Sequence, residues 1–266
     1  MTVIVVANPK GGVGKSTLST NLAGYFAAEG QWVALADLDR QQSAHAWLDL
    51  RPETLPAIET WEVDPDAPAK PPKGLEQAVI DTPAGLHGNR LNLALSLADK
   101  VIVPLQPSIF DILATKEFLE RLAKEKAVRK GAIEIGVVGM RVDARTKSAD
   151  QLHRFVEGLD LPVLGYLRDT QNYVQLAAHG LTLWDVAKSR VEKDLEQWAS
   201  ITSWVDGKAA HGKGGGKKGK IGAARPRKTA PTVSGGRLVF GQFCLGKARA
   251  NDENSGHESE ATRPVA

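Results

Sequence analysis

The sequence predicts an α/β protein with a mostly parallel central sheet and helices on both faces. Three observations predict it. Short apolar runs alternate with segments of helical period along residues 1–204. The first run, Val3-Ile4-Val5-Val6-Ala7, empties into the glycine-rich stretch Lys10-Gly11-Gly12-Val13-Gly14-Lys15-Ser16-Thr17. Two later runs, Val33-Ala34-Leu35-Ala36-Asp37-Leu38-Asp39 and Val79-Ile80-Asp81, end in carboxylates, where open parallel sheets bind their ligands.

The elements follow in order. A strand at 3–7 leads through the glycine-rich turn to a helix at 16–29, with Leu18, Leu22 and Phe26 on one face and Gly30 as its stop. A strand at 32–37 precedes a short helix at 43–50. Residues 51–74 are Pro-rich and read as a surface excursion that also admits an edge strand at 58–63. A strand at 78–81 and a helix at 88–97 come next. After the strand at 100–105, Pro107-Ser108 opens a helix at 109–126, whose Lys116, Arg121, Lys124 and Lys126 beside Glu117, Glu120 and Glu125 read as a solvated face, with a partner or dimer surface as the alternative. A strand at 133–140, a helix at 148–157 and a strand at 163–167 complete the alternation. Helices at 173–178 and 191–204 close the domain.

The glycine-rich turn between a strand and a helix is a phosphate cradle, which makes the fold P-loop NTPase-like. Glycine lets consecutive N–H groups turn toward phosphate oxygens, and the helix start adds its dipole. Gly11, Gly12, Val13, Gly14, Lys15, Ser16 and Thr17 are the expected contacts to ATP. Lys15 is expected on the β- and γ-phosphates and the Ser16 hydroxyl on Mg²⁺. Asp37 and Asp81, at strand ends, suit the oxygen-rich surroundings of Mg²⁺, a hard cation that keeps several waters.

Pro9 stands six residues before Lys15, where the ordinary phosphate-loop pattern has glycine, and Lys10 is a second lysine. In these features Lys10 to Thr17 resembles the deviant Walker A motif of the ParA/MinD family of ATPases. With no helix-turn-helix module ahead of the loop, the chain resembles the small ParA type. The resemblance covers about residues 1–204. It implies that Lys10 crosses a dimer interface to the partner's nucleotide, as an arginine finger does. It implies that Asp39 positions or activates the attacking water, and that Asp81 is the Walker B residue. It maps the adenine pocket to Met140, Arg141, Leu167, Arg168 and Asp169. Where the family has Asp-Pro-Gln after the second strand, this chain has Asp39-Arg40-Gln41-Gln42.

The resemblance also implies a function. An ATP-bound homodimer would bind nucleoid DNA non-specifically, and a ParB-like or cargo-specific adaptor would stimulate its slow ATP hydrolysis. The cycle would segregate or position a plasmid, a chromosome or a protein assembly. Arg168, Lys188, Arg190 and Lys193 are candidate DNA contacts, since phosphate contacts need charge more than shape. Two alternatives stay open: a membrane-associated MinD-like ATPase, and a metabolic ATPase or ligase of the same fold.

Composition narrows the field. Residues 1–204 carry a net charge of −4 and residues 205–266 carry +7. Ten basic and no acidic residues lie between Lys213 and Arg249, and residues 205–266 hold 12 of the 26 glycines. The expected division is therefore an ATPase domain at 1–204 and a basic, Gly-rich disordered tail at 205–266. The tail has no apolar stripe of the kind a membrane-binding helix needs, so no membrane partner is expected. One cysteine, Cys244, excludes an internal disulfide and an iron–sulfur cluster. The chain opens directly on a strand, so no secretory leader is expected and the cytoplasm is the expected compartment. The histidines show no metal-ligand spacing.

Overall fold

A strand buried on both faces is apolar where it is buried, and β1 (Thr2–Val6) is so after its first residue: Ile4, Val5 and Val6 have no exposed surface. In the computed structural model, which describes residues 1–63 and 71–208, β1 lies inside a seven-stranded sheet. The other strands are β2 (Val33–Asp37), β3 (Glu59–Thr60), β4 (Gln77–Asp81), β5 (Lys100–Leu105), β6 (Glu134–Gly139) and β7 (Val163–Tyr166). Their order is β3-β2-β4-β1-β5-β6-β7. Every pairing is parallel, a sharper result than the mostly parallel sheet expected.

Helices cover both faces. Ile4, Val6, Leu35, Val79 and Ile102 share one core with Leu18, Leu22 and Phe26 of α1 (Lys15–Ala28). The same core takes Ala44 and Trp47 of α2 (Ser43–Leu48). On the other face α3 (Gly88–Leu97) meets β1, and α4 (Ile109–Leu122) meets β5. A single-turn helix, α5 (Lys126–Arg129), follows α4, so the helix expected over 109–126 is broken in two. α6 (Lys147–Glu157) packs beside α4. α7 (Gln171–Ala177), a 3₁₀ turn at Leu183–Asp185 and α8 (Lys188–Val205) return to the α1 face.

One expectation needs correction. The edge strand admitted at 58–63 is present as β3, which pairs with β2 at the sheet edge, but Trp61 and Val63 are buried, so 51–74 is more than a surface excursion. Val205 is buried, and the Tyr25 hydroxyl donates to Asp206 at 2.8 Å, so the fold continues past the end of α8. Residues 64–70 and 209–266, with nearly all of the expected tail, lie outside the described residues.

Candidate nucleotide site

The phosphate loop leaves the C-terminal end of β1, next to the C-terminal ends of β4 and β5. Val6 pairs with Asp81 and Ile102, and Asp37 pairs with Asp81. The register therefore places two carboxylates side by side, Asp81 on β4 next to the loop and Asp37 on β2 one strand further out. Gly12 and Gly14 hold φ of +74° and +95°, which glycine adopts without strain. At Gly14 an added Cβ would also stand 2.6 Å from the Met140 Cε. Gly14 is the N-cap of α1, whose start has no side-chain cap and no acidic residue in its first turn. The free N–H groups of that turn suit a phosphate.

Lys15 is buried, and its Nζ donates to the Lys10 carbonyl at 2.9 Å. Burial lowers its pKa, while the Asp81 and Asp39 charges oppose the shift. Asp81 is buried, and its Oδ1 accepts from the Ser19 hydroxyl at 3.1 Å. Burial, with a smaller push from Asp37, raises the Asp81 carboxyl to about 7, against hydrogen bonds from Ser16 and Ser19. A buried carboxyl held that high, beside the Ser16 hydroxyl, favours a cation that would restore its charge. Magnesium at such sites relies on one or two carboxylates, substrate phosphates and water. Ser16 and Asp81 fit that description.

Asp37 has another use. Its Oδ1 accepts from the Asp39 N–H at 2.8 Å and its Oδ2 from the Ala44 N–H at 2.7 Å. It ties down the loop after β2 and the start of α2, each oxygen accepting one backbone N–H. Asp39 lies in that loop, and its Oδ1 accepts from the Gln41 N–H at 3.1 Å. A bond from Gln42 N–H to Asp39 O, 2.9 Å, closes the turn across Arg40 and Gln41. The turn forms without the family's proline.

The loop after β4 docks on the phosphate loop. Gly85 N–H donates to Pro9 O at 2.8 Å, and Thr82 Oγ1 donates to Val6 O at 2.8 Å. Between the loops after β2 and β4 lies a cleft of about 530 Å³, lined among others by Asp39, Arg40, Gly85, His87 and Arg90. Lys10 is half-buried beside this junction.

The far side of the site agrees less well with expectation. Arg141 has φ +53° and its Nε lies 4.0 Å from Asp169 Oδ1, with both side chains exposed. Met140 packs against Gly14, at the loop itself. Leu167 has no exposed surface and belongs to the core, so it does not line an open adenine pocket. Arg168 forks onto Asp194, Nε to Oδ1 at 2.6 Å and Nη2 to Oδ2 at 3.2 Å. Asp194 is fully buried and also accepts from Asn172 Nδ2 at 2.6 Å. The guanidinium is held by that carboxylate while its side chain stays partly exposed. Lys188, Arg190 and Lys193 are exposed at the start of α8, beside exposed Glu192 and Glu196.

Sequence reading missed several polar residues here. Asn8 is buried at the root of the loop, and Gln106 Nε2 donates to Gly12 O at 2.8 Å. An asparagine directly after the apolar run 3–7, ahead of the glycine-rich stretch, was the available signal for Asn8.

Comparison with known proteins agrees with this geometry. The family described as the CobQ/CobB/MinD/ParA nucleotide binding domain matches residues 4–183. The chain belongs to that family, and within it to the ParA/MinD ATPases. The Gloeobacter kilaueensis protein named maintenance of carboxysome distribution protein A is 29% identical over 185 residues, 68% of this chain and 83% of that protein. The chromosome-partitioning ATPase Soj of Thermus thermophilus is 29% identical over 182 residues, 56% of this chain and 73% of Soj. The septum site-determining protein MinD of Pyrococcus horikoshii, solved with Mg-ADP, superposes with a TM-score of 0.60 at 17% identity, covering 77% of this chain and 96% of that one. At that identity the likeness speaks for the fold.

Proposed function

We propose that this chain is an ATP-dependent positioning or partition ATPase. It hydrolyses ATP to ADP and phosphate as a homodimer closed by ATP, rides on nucleoid DNA without sequence preference, and releases when a cargo adaptor stimulates turnover. The observation that carries the reading is a two-lysine phosphate loop joined, through Gly85 N–H to Pro9 O, to the loop that follows Asp81, with Asp39 and Gly85 lining one cleft. The kinship with Soj and the carboxysome distribution protein supports the positioning role over a metabolic one.

The chain's own groups divide the work. The α1 N-terminus and Lys15 would bind the phosphates, and Ser16 with Asp81 would hold Mg²⁺, which neutralises phosphate charge. Asp39, fixed by its turn, would orient the attacking water. Lys10 would reach the nucleotide of a second copy, so that each site is complete only in the dimer. Lys188, Arg190, Lys193 and the basic stretch 213–249 would supply charge for DNA, at a cytoplasmic, nucleoid-associated location. Among the described residues no helix is long and apolar enough to cross a membrane.

The test is binding to a DNA duplex of arbitrary sequence with ATP, ADP or no nucleotide, at low and moderate salt. ATP-dependent binding that weakens steeply with salt is expected, since each phosphate neutralised contributes about −0.9 to the log–log slope. No binding in any state would overturn the DNA role and return weight to membrane recruitment or a metabolic ATPase.

A further inference from the structure

Asn8 has no exposed surface and ties the start of the phosphate loop to two elements, β5 and α4, that lie far along the sequence. Its Nδ2 donates to Pro104 O at 2.7 Å, at the end of β5, and to Thr115 Oγ1 at 2.9 Å, inside α4. Its Oδ1 accepts from the Lys10 N–H at 2.9 Å. Three of the four hydrogen bonds an amide side chain offers are therefore made, in an arrangement that no apolar residue reproduces. Thr115 is also fully buried, so its hydroxyl faces Asn8 and not water.

Lys10 is thus held at both ends of its own residue, its N–H by Asn8 and its carbonyl by Lys15 Nζ. The second of these contacts competes with phosphate for Lys15. Once Lys15 turns to a nucleotide, Asn8 is the contact that still fixes the Lys10 main chain. Thr115 ties that contact to α4. The N-terminal part of the same helix carries Ile109, Phe110 and Leu113, three large apolar side chains open to solvent.

We propose that the Asn8–Thr115 pair is a positioning element that sets the aim of Lys10 and couples α4 to the phosphate loop. The inference rests on the reading of this chain as an ATP-hydrolysing enzyme. Asn8 and Thr115 act through Lys10 and touch no reacting atom themselves. A displacement of α4 would be felt at Lys10 through two hydrogen bonds, with no change needed in the Lys15 cradle. Burial of polar groups strengthens such a link, because neither partner can turn to water when the bond is strained.

The experiment compares Thr115→Val, Thr115→Ser and the unaltered full chain. Valine keeps the shape and removes the hydroxyl, whereas serine keeps the hydroxyl. Steady-state ATP turnover gives kcat and KM, and the melting temperature is recorded in parallel so that all are assayed while folded. The expected result is a kcat lowered about tenfold in Thr115→Val, with KM changed less than about threefold, the pattern of a misaimed catalytic group. Thr115→Ser should restore kcat. If valine at this site prevents folding, Thr115→Ala takes its place, because alanine is the best helix former. A hydroxyl-free variant that is less stable yet turns over ATP at the unaltered rate would reduce the pair to a structural contact and overturn the proposal. An unaltered chain that hydrolyses no ATP would instead overturn the functional reading, so the two failures are distinguishable.

Discussion

The Lys15 ammonium donates to the Lys10 carbonyl oxygen across 2.9 Å, so the lysine expected on the phosphates is parked on its own loop. Burial already disfavours its charged form. A nucleotide therefore meets a cationic group that gives up one neutral acceptor and gains phosphate oxygens, an exchange in favour of binding. Lys15→Ala should lower affinity for ATP and ADP by at least about a hundredfold, the scale of a lost charge-assisted contact of ~3 kcal/mol. Titration with a fluorescent nucleotide checks it, and near-normal affinity would remove Lys15 from the cradle.

Asp81 sets a pH dependence. Its folded pKa, about 7, lies above the ordinary aspartate value. Between about pH 4 and 7 the folded chain holds a proton that the unfolded chain has released, so stability falls as pH rises through that window. Above about 7 the loss is complete. Asp81→Asn removes the charge that burial opposes. Without Mg²⁺ or nucleotide, the variant should melt higher than the unaltered chain at pH 8, on the order of 5 °C, and by progressively less toward pH 5. Melting curves in a chelating buffer test this. A difference independent of pH would contradict the assignment.

The fold was largely legible because its signals are local. β1, β2, β4 and β5 are buried on both faces and announce themselves as apolar runs, and Gly12 and Gly14 are required by positive φ. Gly88–Leu97 and Lys100–Leu105 fall where the pattern puts them. What escaped depends on partners distant in the chain. Nothing local tells that Arg168 will be held by Asp194, 26 residues on. The same holds for Leu167, whose place in the core follows from the packing of α7 and α8. The two backbone N–H groups that Asp37 holds, from Asp39 and Ala44, are likewise invisible in sequence, because they follow from how the chain turns after β2.

Arg40 occupies the second position of the turn that runs from Asp39 to Gln42. Proline is favoured at that position because its fixed φ suits the turn, and Arg40 is not among the residues with positive φ. Arg40→Pro should therefore keep the fold and raise stability by about 0.4–1 kcal/mol, mainly by restricting the unfolded chain. That corresponds to a melting point higher by roughly 2–4 °C. A lower melting point would show that the loop carrying Asp39 needs a backbone geometry that proline denies.

Arg51 anchors the chain after α2 to the 3₁₀ turn. Its two terminal nitrogens reach Asp185 Oδ2 and Oδ1, each at 2.9 Å, and both side chains are almost wholly buried. The guanidinium also donates to Gly180 O at 3.2 Å and to Pro56 O at 3.1 and 3.2 Å. Asp185 in turn accepts from the Thr182 N–H and hydroxyl, each at 2.7 Å, closing a capping box. Every charge and nearly every polar atom in this junction has a partner, so the pair is balanced as it stands. Removing one side is costly, because the other is left buried and charged. Arg51→Ala should destabilise the fold by about 3–5 kcal/mol, a fall in melting temperature on the order of 10 °C. Arg51→Lys keeps the charge but not the fork and should fall between. Adding Asp185→Asn to Arg51→Ala should recover part of the loss, and a double-mutant cycle measures that coupling. Strictly additive losses would mean that the two side chains stabilise the fold independently, and that the fork between them contributes nothing of its own.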